Sequence, residues 1–81
     1  MYRWIDFIEV ENPGKKTKRW KVVNHDTGDT LGGVYWWTAW RRYIFHPMPG
    51  TIYEQDCLRD IASFLIDKMV EHKAELDKRD K

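Results

Sequence analysis

The spacing of apolar residues changes once along this chain, near Thr51, and that change limits the folds that the chain can adopt. Before Thr51, apolar and polar residues alternate in short runs, as they do in antiparallel strands. After Thr51, apolar residues recur at steps of three and four, as they do on one face of an amphipathic helix. The sequence therefore predicts an α+β fold, in which an antiparallel meander of three to four strands carries one C-terminal helix packed on one face.

The chain before Thr51 contains four segments with the composition of strands. They span residues 2–10, 18–25, 31–37 and 41–47. Pro13-Gly14 is a strong turn signal, and Gly28 can adopt the positive φ that closes a short hairpin. Pro47 ends the last strand because it has no N–H to donate to a ladder. We predict a single domain over 1–81, with the sheet in 1–50 and the helix in 51–78.

One stripe of the predicted helix should face the sheet. It contains Leu58, Ile61, Leu65, Met69 and His72, with Cys57, Ala62 and Phe64 beside them. The start of the helix has two interpretations. Thr51 and Glu54 match a capping box, or Glu54 to Asp56 form the cap and first turn while Ile52 and Tyr53 stay extended. Beyond Met69 the helix is polar, and we expect it to overhang the sheet and fray.

Alternation along the strands divides their residues between two faces of the sheet. One face collects Trp20, Val22, Asn24, Val34, Trp36, Tyr43 and Phe45, and the other collects Lys21, Val23, His25, Tyr35, Trp37, Arg42, Ile44 and His46. The helix should cover the first face, because burying Lys21 and Arg42 without partners would cost several kcal/mol. A slip of one residue would exchange the faces. The first strand either pairs at the sheet edge or covers part of the second face.

Cysteine content and hydropathy exclude several classes of protein. Cys57 is the single cysteine, so neither an intramolecular disulfide nor a finger-type zinc site can form. The N-terminal residues carry Asp6 and Glu9 and lack the apolar run of a signal peptide. No apolar stretch approaches the ~20 residues that span a bilayer. We expect a cytoplasmic protein.

The charge of the chain is nearly balanced but unevenly placed. The formal net charge is +1. Residues 1–50 contain eight Lys/Arg and five Asp/Glu, an excess of +3, and residues 51–81 contain six and eight, an excess of −2. This asymmetry is much weaker than the basicity typical of a nucleic-acid-binding domain.

Four sequence features could indicate catalysis or ligand binding, but for each one a purely structural role is favoured. Asp26-Thr27-Gly28 is the aspartic-protease triplet, but its polar neighbours are typical of an exposed hairpin. The histidines, His25, His46 and His72, lack a carboxylate pair or cysteine at ligand spacing. Cys57 is favoured as a small buried hydrophobe over a nucleophile. Gly32-Gly33 lacks the strand-loop-helix setting of a phosphate cradle. We therefore expect no enzyme, metal or cofactor.

The second face of the sheet is the leading candidate for a partner-binding surface. Its proposed contact residues are Tyr35, Trp37, Arg42 and Ile44, with Trp40 and Arg41 at the edge. Exposed Trp, Tyr and Arg have the composition of an interface hot spot, so the sequence predicts a protein partner.

Two alternatives use overlapping residues. Nucleic acid is the second candidate partner, through the basic residues Lys15, Lys16, Lys18, Arg19, Lys21 and Arg41-Arg42, with Trp37 or Tyr35 stacking on bases. A sheet with one helix is also the layout of some DNA-binding modules. The exposed rings of the second face would alternatively be buried in a homodimer.

A pattern over residues 19–65 resembles a group of small phage and prophage proteins of unknown function. The matching residues are W-x-V-x-N from Trp20 to Asn24, Gly28, Leu31-Gly32, Val34, Trp36, Trp40-Arg41, Tyr43, Phe45, Pro47, Thr51-Ile52-Tyr53, Cys57-Leu58, Asp60-Ile61 and Phe64. The N-terminal strand, Trp37 and the polar tail after Met69 depart from the pattern. The resemblance carries over no catalytic residues. By association with small accessory proteins of phages, it implies binding to a host or defence-system protein, and for a phage-encoded chain the expected cytoplasm is that of the host cell.

Overall fold

A computed structural model describes the backbone of residues 4–79 and the side chains of residues 4–76. The elements are β1 (Ile5–Val10), β2 (Arg19–Asn24), β3 (Thr30–Trp37), β4 (Arg42–Pro47) and α1 (Gln55–Arg79). The strands form one antiparallel sheet in the order β1-β2-β3-β4, so the predicted α+β meander is confirmed. Residues 2–3 of the predicted first strand and residues 80–81 of the polar tail lie outside the described residues.

The first strand pairs at the edge of the sheet and does not cover its second face. Phe7 is registered with Val22, and Ile8 with Lys21, in the β1–β2 ladder. Phe7 therefore shares the helix side of the sheet with Val22, while Ile8 points to the opposite side. The sheet keeps one face under α1 and leaves the other without a covering element among residues 4–79.

The helix packs on the face that the sequence predicts. The buried core contains Ile5, Trp20, Val22, Val34, Tyr43, Ile61 and Phe64. The Trp20 ring meets Phe64 edge to face at 5.1 Å and Tyr43 at 5.4 Å. Large rings from β2, β4 and α1 thus interlock in one layer, which lets a short chain bury a large apolar area.

Two residues assigned to the inner stripe of the helix are exposed instead. Leu58 is 52% exposed, and Ala62 is also exposed. The sheet-facing stripe consists of Cys57, Ile61, Phe64, Leu65, Lys68, Met69 and His72, all buried or half-buried. The helix is rotated about its axis, relative to the predicted orientation, so that Phe64 and Lys68 lie over Trp20. In this orientation Leu58 and Ala62 face away from the sheet core.

The helix begins at Gln55, four residues after the predicted start at Thr51. The Glu54 carboxylate accepts the backbone N–H of Cys57 at 2.6 Å, so Glu54 caps the first turn. The Thr51 hydroxyl lies within hydrogen-bonding distance of the Met48 carbonyl oxygen, at 2.8 Å, and of the Tyr53 hydroxyl, at 3.0 Å. Thr51 therefore closes the preceding turn, and the second of the two predicted starts is the correct one.

Val23 is buried on the side of the sheet away from α1, where alternation assigns it; it lies opposite Asp6 in the β1–β2 ladder and does not belong to the core cluster. Val22 pairs with Gly32, but Val23 pairs with Thr30, so the register shifts between them and Leu31 is bypassed. Such a bulge bends and twists the strand locally, which changes the exposure of the side chains beside it.

The turns are held by side chains as well as by backbone. The Asn24 amide oxygen accepts the N–H groups of Asp26 and Thr27, and Gly28 has a φ of 77°. The Asp26-Thr27-Gly28 triplet thus forms an exposed hairpin turn, as predicted. Among residues 4–79, no helix combines the length and the apolar character that crossing a bilayer requires.

Candidate binding surface

The face of the sheet opposite α1 is the candidate binding surface, and we call it the open face. Its residues are Asp6, Ile8, Val10, Arg19, Lys21, Val23, Gly33, Tyr35, Trp37, Arg42, Ile44 and His46. They share this face because directly opposed residues in an antiparallel ladder point the same way. The register thus places Tyr35, Trp37, Arg42 and Ile44, all predicted contact residues, on one side.

Three aromatic rings form a row along β3 and the following turn, which we call the aromatic row. The Tyr35 and Trp37 centroids are 6.4 Å apart, and those of Trp37 and Trp40 are 6.2 Å apart. Trp37 is 42% exposed and Trp40 is 67% exposed. Trp40 therefore extends the row from β3 onto the β3–β4 turn, at the edge of the surface, which is where the sequence predicts it.

The Tyr35 ring is held from both neighbouring strands. The Arg19 guanidinium lies 5.3 Å from the ring centroid, in a cation–π contact from β2. The Tyr35 hydroxyl lies 2.6 Å from Nδ1 of His46 on β4, a hydrogen bond whose direction follows the imidazole tautomer. From the sequence, Arg19 is assigned only to a basic segment, and His46 is assigned to the second face and to a metal hypothesis but to no contact with Tyr35. The cross-strand register is the signal that connects both to Tyr35.

A depression of about 540 Å³ lies over Gly33 on the open face. Val10, Lys21, Tyr35 and His46 stand around it. Gly33 has no side chain, so its neighbours rise above the sheet and leave a hollow between them. An added methyl there would have its nearest neighbour, the Trp20 carbonyl oxygen, at 3.5 Å.

Cations outnumber carboxylates on the open face. The face carries three cations, Arg19, Lys21 and Arg42, and one carboxylate, Asp6. The Oδ2 atom of Asp6 lies 3.0 Å from Nδ1 of His25. The hydrogen bond that His25 donates to the Asp6 carboxylate, together with the negative charge of Asp6, raises the pKa of His25 above 6.5. The single carboxylate of this face is thereby paired, and the remaining charge is positive.

The basic residues proposed for nucleic-acid contacts lie mainly at one end of the sheet. The loop that holds Lys15, Lys16 and Lys18 reaches β4, where the Lys18 N–H donates to the Tyr43 hydroxyl at 3.2 Å. Lys16 and Lys18 line a small cleft with two carboxylates of α1, from Glu71 and Glu75. Arg41 and Arg42 belong to the turn at the same end, whereas Lys21 stands mid-face. The carboxylates of α1 reduce the positive potential of this end.

The three histidines have separate partners. His25 pairs with Asp6, and His46 with Tyr35. The His72 ring packs on Trp36 on the helix side, with centroids 4.4 Å apart. Within the part of the chain that the structure describes, no group of three His, Cys, Asp or Glu side chains could hold a metal ion.

Cys57 lies half-buried in the first turn of α1. Partial burial and the adjacent Glu54 carboxylate raise the pKa of its thiol above 9.0. A raised pKa reduces the thiolate population at neutral pH, and the thiolate is the reactive form of cysteine. The environment therefore disfavours the nucleophile interpretation.

Ile44 connects the open face to a second apolar surface. Its half-buried side chain borders a groove between β4 and α1, together with Trp40, Phe45 and Ile66. The groove shares Trp40 with the aromatic row, and it shares Arg42 and Ile44 with the rest of the open face.

One curated relative resembles nearly the whole chain. It is a protein of Acholeplasma phage L2 named "Uncharacterized 9.3 kDa protein", 37% identical over 70 residues, which cover 86% of this chain and 90% of the relative. No protein-family model and no solved structure matches the chain. The phage relative agrees with the resemblance to small phage proteins noted in the sequence. At this identity and coverage, the chain belongs to the same family as the small protein of Acholeplasma phage L2.

Proposed function

We propose that this chain is a small non-catalytic binding protein of phage type, which docks on a host protein, such as a defence-system component, through its open face. The observation that carries the proposal is the aromatic row flanked by Arg19 and Arg42. Tyr, Trp and Arg are the residue types that dominate binding energy at protein interfaces.

The rings of the open face are positioned before any partner arrives. Tyr35 is fixed by Arg19 on one side and by His46 on the other. An interface pays less conformational entropy when its anchors are already ordered. Trp37 and Trp40 remain exposed beside this fixed ring, so they supply apolar area for a partner to cover.

The charge of the open face predicts the chemistry of the partner. Arg19, Lys21 and Arg42 face outward around the rings, and Asp6 is paired with His25. An acidic protein surface with an exposed apolar side chain at its centre would complement this arrangement. Such complementarity mainly accelerates association and selects the partner.

Affinity capture from host lysate, followed by titration with the purified partner, tests the proposal. A Trp37→Ala plus Arg42→Ala variant should lose the partner, because it removes a central ring and the cation registered beside it. An Ile52→Ala plus Arg59→Ala variant is the matched control, because both residues are exposed and neither belongs to the open face. Retention of the partner by the first variant would contradict the proposed surface.

Nucleic acid remains a second candidate because the β1–β2 loop and the β3–β4 turn meet at one end of the sheet. This places Lys15, Lys16 and Lys18 at the end where Arg41 and Arg42 lie. Binding to single-stranded or duplex DNA should then weaken steeply with salt. A Lys15→Ala plus Lys16→Ala variant should reduce that salt dependence, and a gel shift without a complex at low salt would contradict this candidate.

A further inference from the structure

A lateral apolar surface follows α1 beside the outer edge of β4. Four residues of α1 at four-residue steps form it, and we call them the lateral stripe: Leu58, Ala62, Ile66 and Val70. Ile66 and Val70 are each 64% exposed, and both border the groove of about 840 Å³ between α1 and β4. A continuous apolar stripe of this kind on a small polar helix marks an interaction surface.

The edge of β4 beside the stripe is poorly suited to strand addition. The backbone N–H of Met48 donates to the carbonyl of Leu31, so every second residue of β4 directs its backbone N–H and C=O groups toward β3. The backbone groups of Tyr43 and Phe45 therefore face away from β3, at the outer edge of the sheet. The outward N–H of Tyr43 donates to Sδ of Met69 at 3.3 Å. Pro47 has no N–H to offer. A partner at this edge must therefore be bound chiefly by the side chains of α1.

We infer that the lateral stripe packs against the same stripe of a second copy of this chain, with the two helices antiparallel. A two-fold axis near residue 64 of α1 would set Leu58 against Val70 of the second copy. It would also set Ala62 against Ile66 of the second copy, a small side chain against a large one. The stripe thus matches itself in size, as a two-fold interface requires.

The same axis fits the sheet below the helix. On α1, Met69 contacts Tyr43 of β4, and Phe64 contacts Trp20 of β2. Trp20 is registered with Val34, and Val34 with Phe45, so Trp20 and Phe45 lie at the same height along the strands. Five residues of helix rise ~7.5 Å, and two residues of strand rise ~6.7 Å. Residue 64 of α1 therefore lies close to the level of Phe45, the middle of β4. One axis can pass through the centres of both elements.

Charges at the two ends of the stripe are complementary in this arrangement. Glu54 lies four residues before Leu58, just ahead of α1, and Lys73 lies three residues after Val70 and borders the groove. Antiparallel pairing brings Glu54 of one copy to Lys73 of the other at both ends of the interface. A parallel arrangement would place like charges together, so charge favours the antiparallel one.

Analytical ultracentrifugation of the full chain over a wide concentration range tests the inference. The chain should form dimers, and Ile66→Glu should weaken dimerisation by about tenfold or more, because it buries a charge in the stripe. Ile52→Glu is the matched control, since Ile52 is 90% exposed and lies outside the groove. A monomeric wild-type chain, or equal effects of the two substitutions, would overturn the inference.

A charge-exchange experiment tests the antiparallel register. Glu54→Lys and Lys73→Glu should each weaken the homodimer, whereas an equimolar mixture should form a heterodimer in which every end contact joins opposite charges. Thermal unfolding of each variant controls for the loss of the cap that Glu54 provides. Failure of the mixture to associate better than either variant alone would overturn the register. None of these substitutions changes the open face, so this result is independent of the proposed function.

Discussion

Phe7 and Phe64 stack face to face, with ring centroids 3.8 Å apart and planes 3° from parallel. One ring comes from the edge strand β1 and the other from the middle of α1. The contact therefore joins the N-terminal strand to the helix across the sheet and closes that side of the core. In a chain of this size, where the stability margin is small, a single such contact has a large effect.

Phe7→Ala should lower the free energy of unfolding by about 3 kcal/mol, because it removes a ring from the packed layer. Ile8→Ala is the adjacent control on the open face, where Ile8 is 49% exposed, and it should cost under about 1 kcal/mol. Urea denaturation of both variants gives the comparison. Similar losses for the two would mean that β1 does not pack as described.

Trp36 and Trp37 provide a second pair of neighbours with opposite environments. The Trp36 ring lies 5.3 Å from Tyr43 and 4.4 Å from His72, on the helix side. Trp36→Ala should cost about 3 kcal/mol of unfolding free energy, and Trp37→Ala about 1 kcal/mol or less. Thermal and chemical unfolding measure the difference, and the reverse order would contradict the assignment of the two faces.

The sequence predicts the two faces of the sheet because alternation depends only on the extended backbone. Trp36 and Trp37 could be assigned for that reason, since adjacent strand residues must point to opposite sides. Alternation also assigns Val23 to the correct side, opposite Asp6, but not its burial, because the bulge in β3 beside it is set by tertiary packing and leaves no signature in the spacing of β2.

Helix rotation could not be predicted in the same way. Leu58 and Ala62 fit an apolar helical stripe as well as Cys57 and Ile61 do, and spacing alone does not say which stripe meets the sheet. Lys68 illustrates the difficulty, because its ammonium group lies over the Trp20 and Phe64 rings while its charge suggests solvent. Because a lysine can lay its aliphatic chain along apolar surface, a charged residue can belong to the sheet-facing stripe, and an apolar pattern alone does not identify that stripe.

The common face of Tyr35, Trp37, Arg42 and Ile44 was predictable from the sequence, but the contacts between strands were not. Tyr35 and Trp37 follow from alternation within one strand. The contacts of Tyr35 with Arg19 and His46 depend on the register between strands, which turn lengths and the bulge determine.

Gly32 and Gly33 should differ sharply in their tolerance of a side chain. A methyl group on Gly32 would overlap the His46 carbonyl oxygen and contact the Phe45 ring at 2.9 Å. Gly32→Ala should therefore lower the free energy of unfolding by about 1–3 kcal/mol. Gly33→Ala meets only ordinary contacts, so its stability should be close to that of the wild type. Equal effects in urea denaturation would contradict the packing of β3 against β4.

Protonation of His25 should stabilise the fold through its contact with Asp6. The hydrogen bond and negative charge of Asp6 raise the pKa of His25 in the folded chain above the value of 6.5 expected when unfolded. The stabilisation is thus fully present below about pH 6.5 and is lost as the pH rises through the higher folded pKa. Asp6→Asn should therefore lower the melting temperature more at about pH 6 than at about pH 8. An NMR titration should show the His25 pKa falling toward 6.5 in Asp6→Asn, and an unchanged titration would show that Asp6 does not set it.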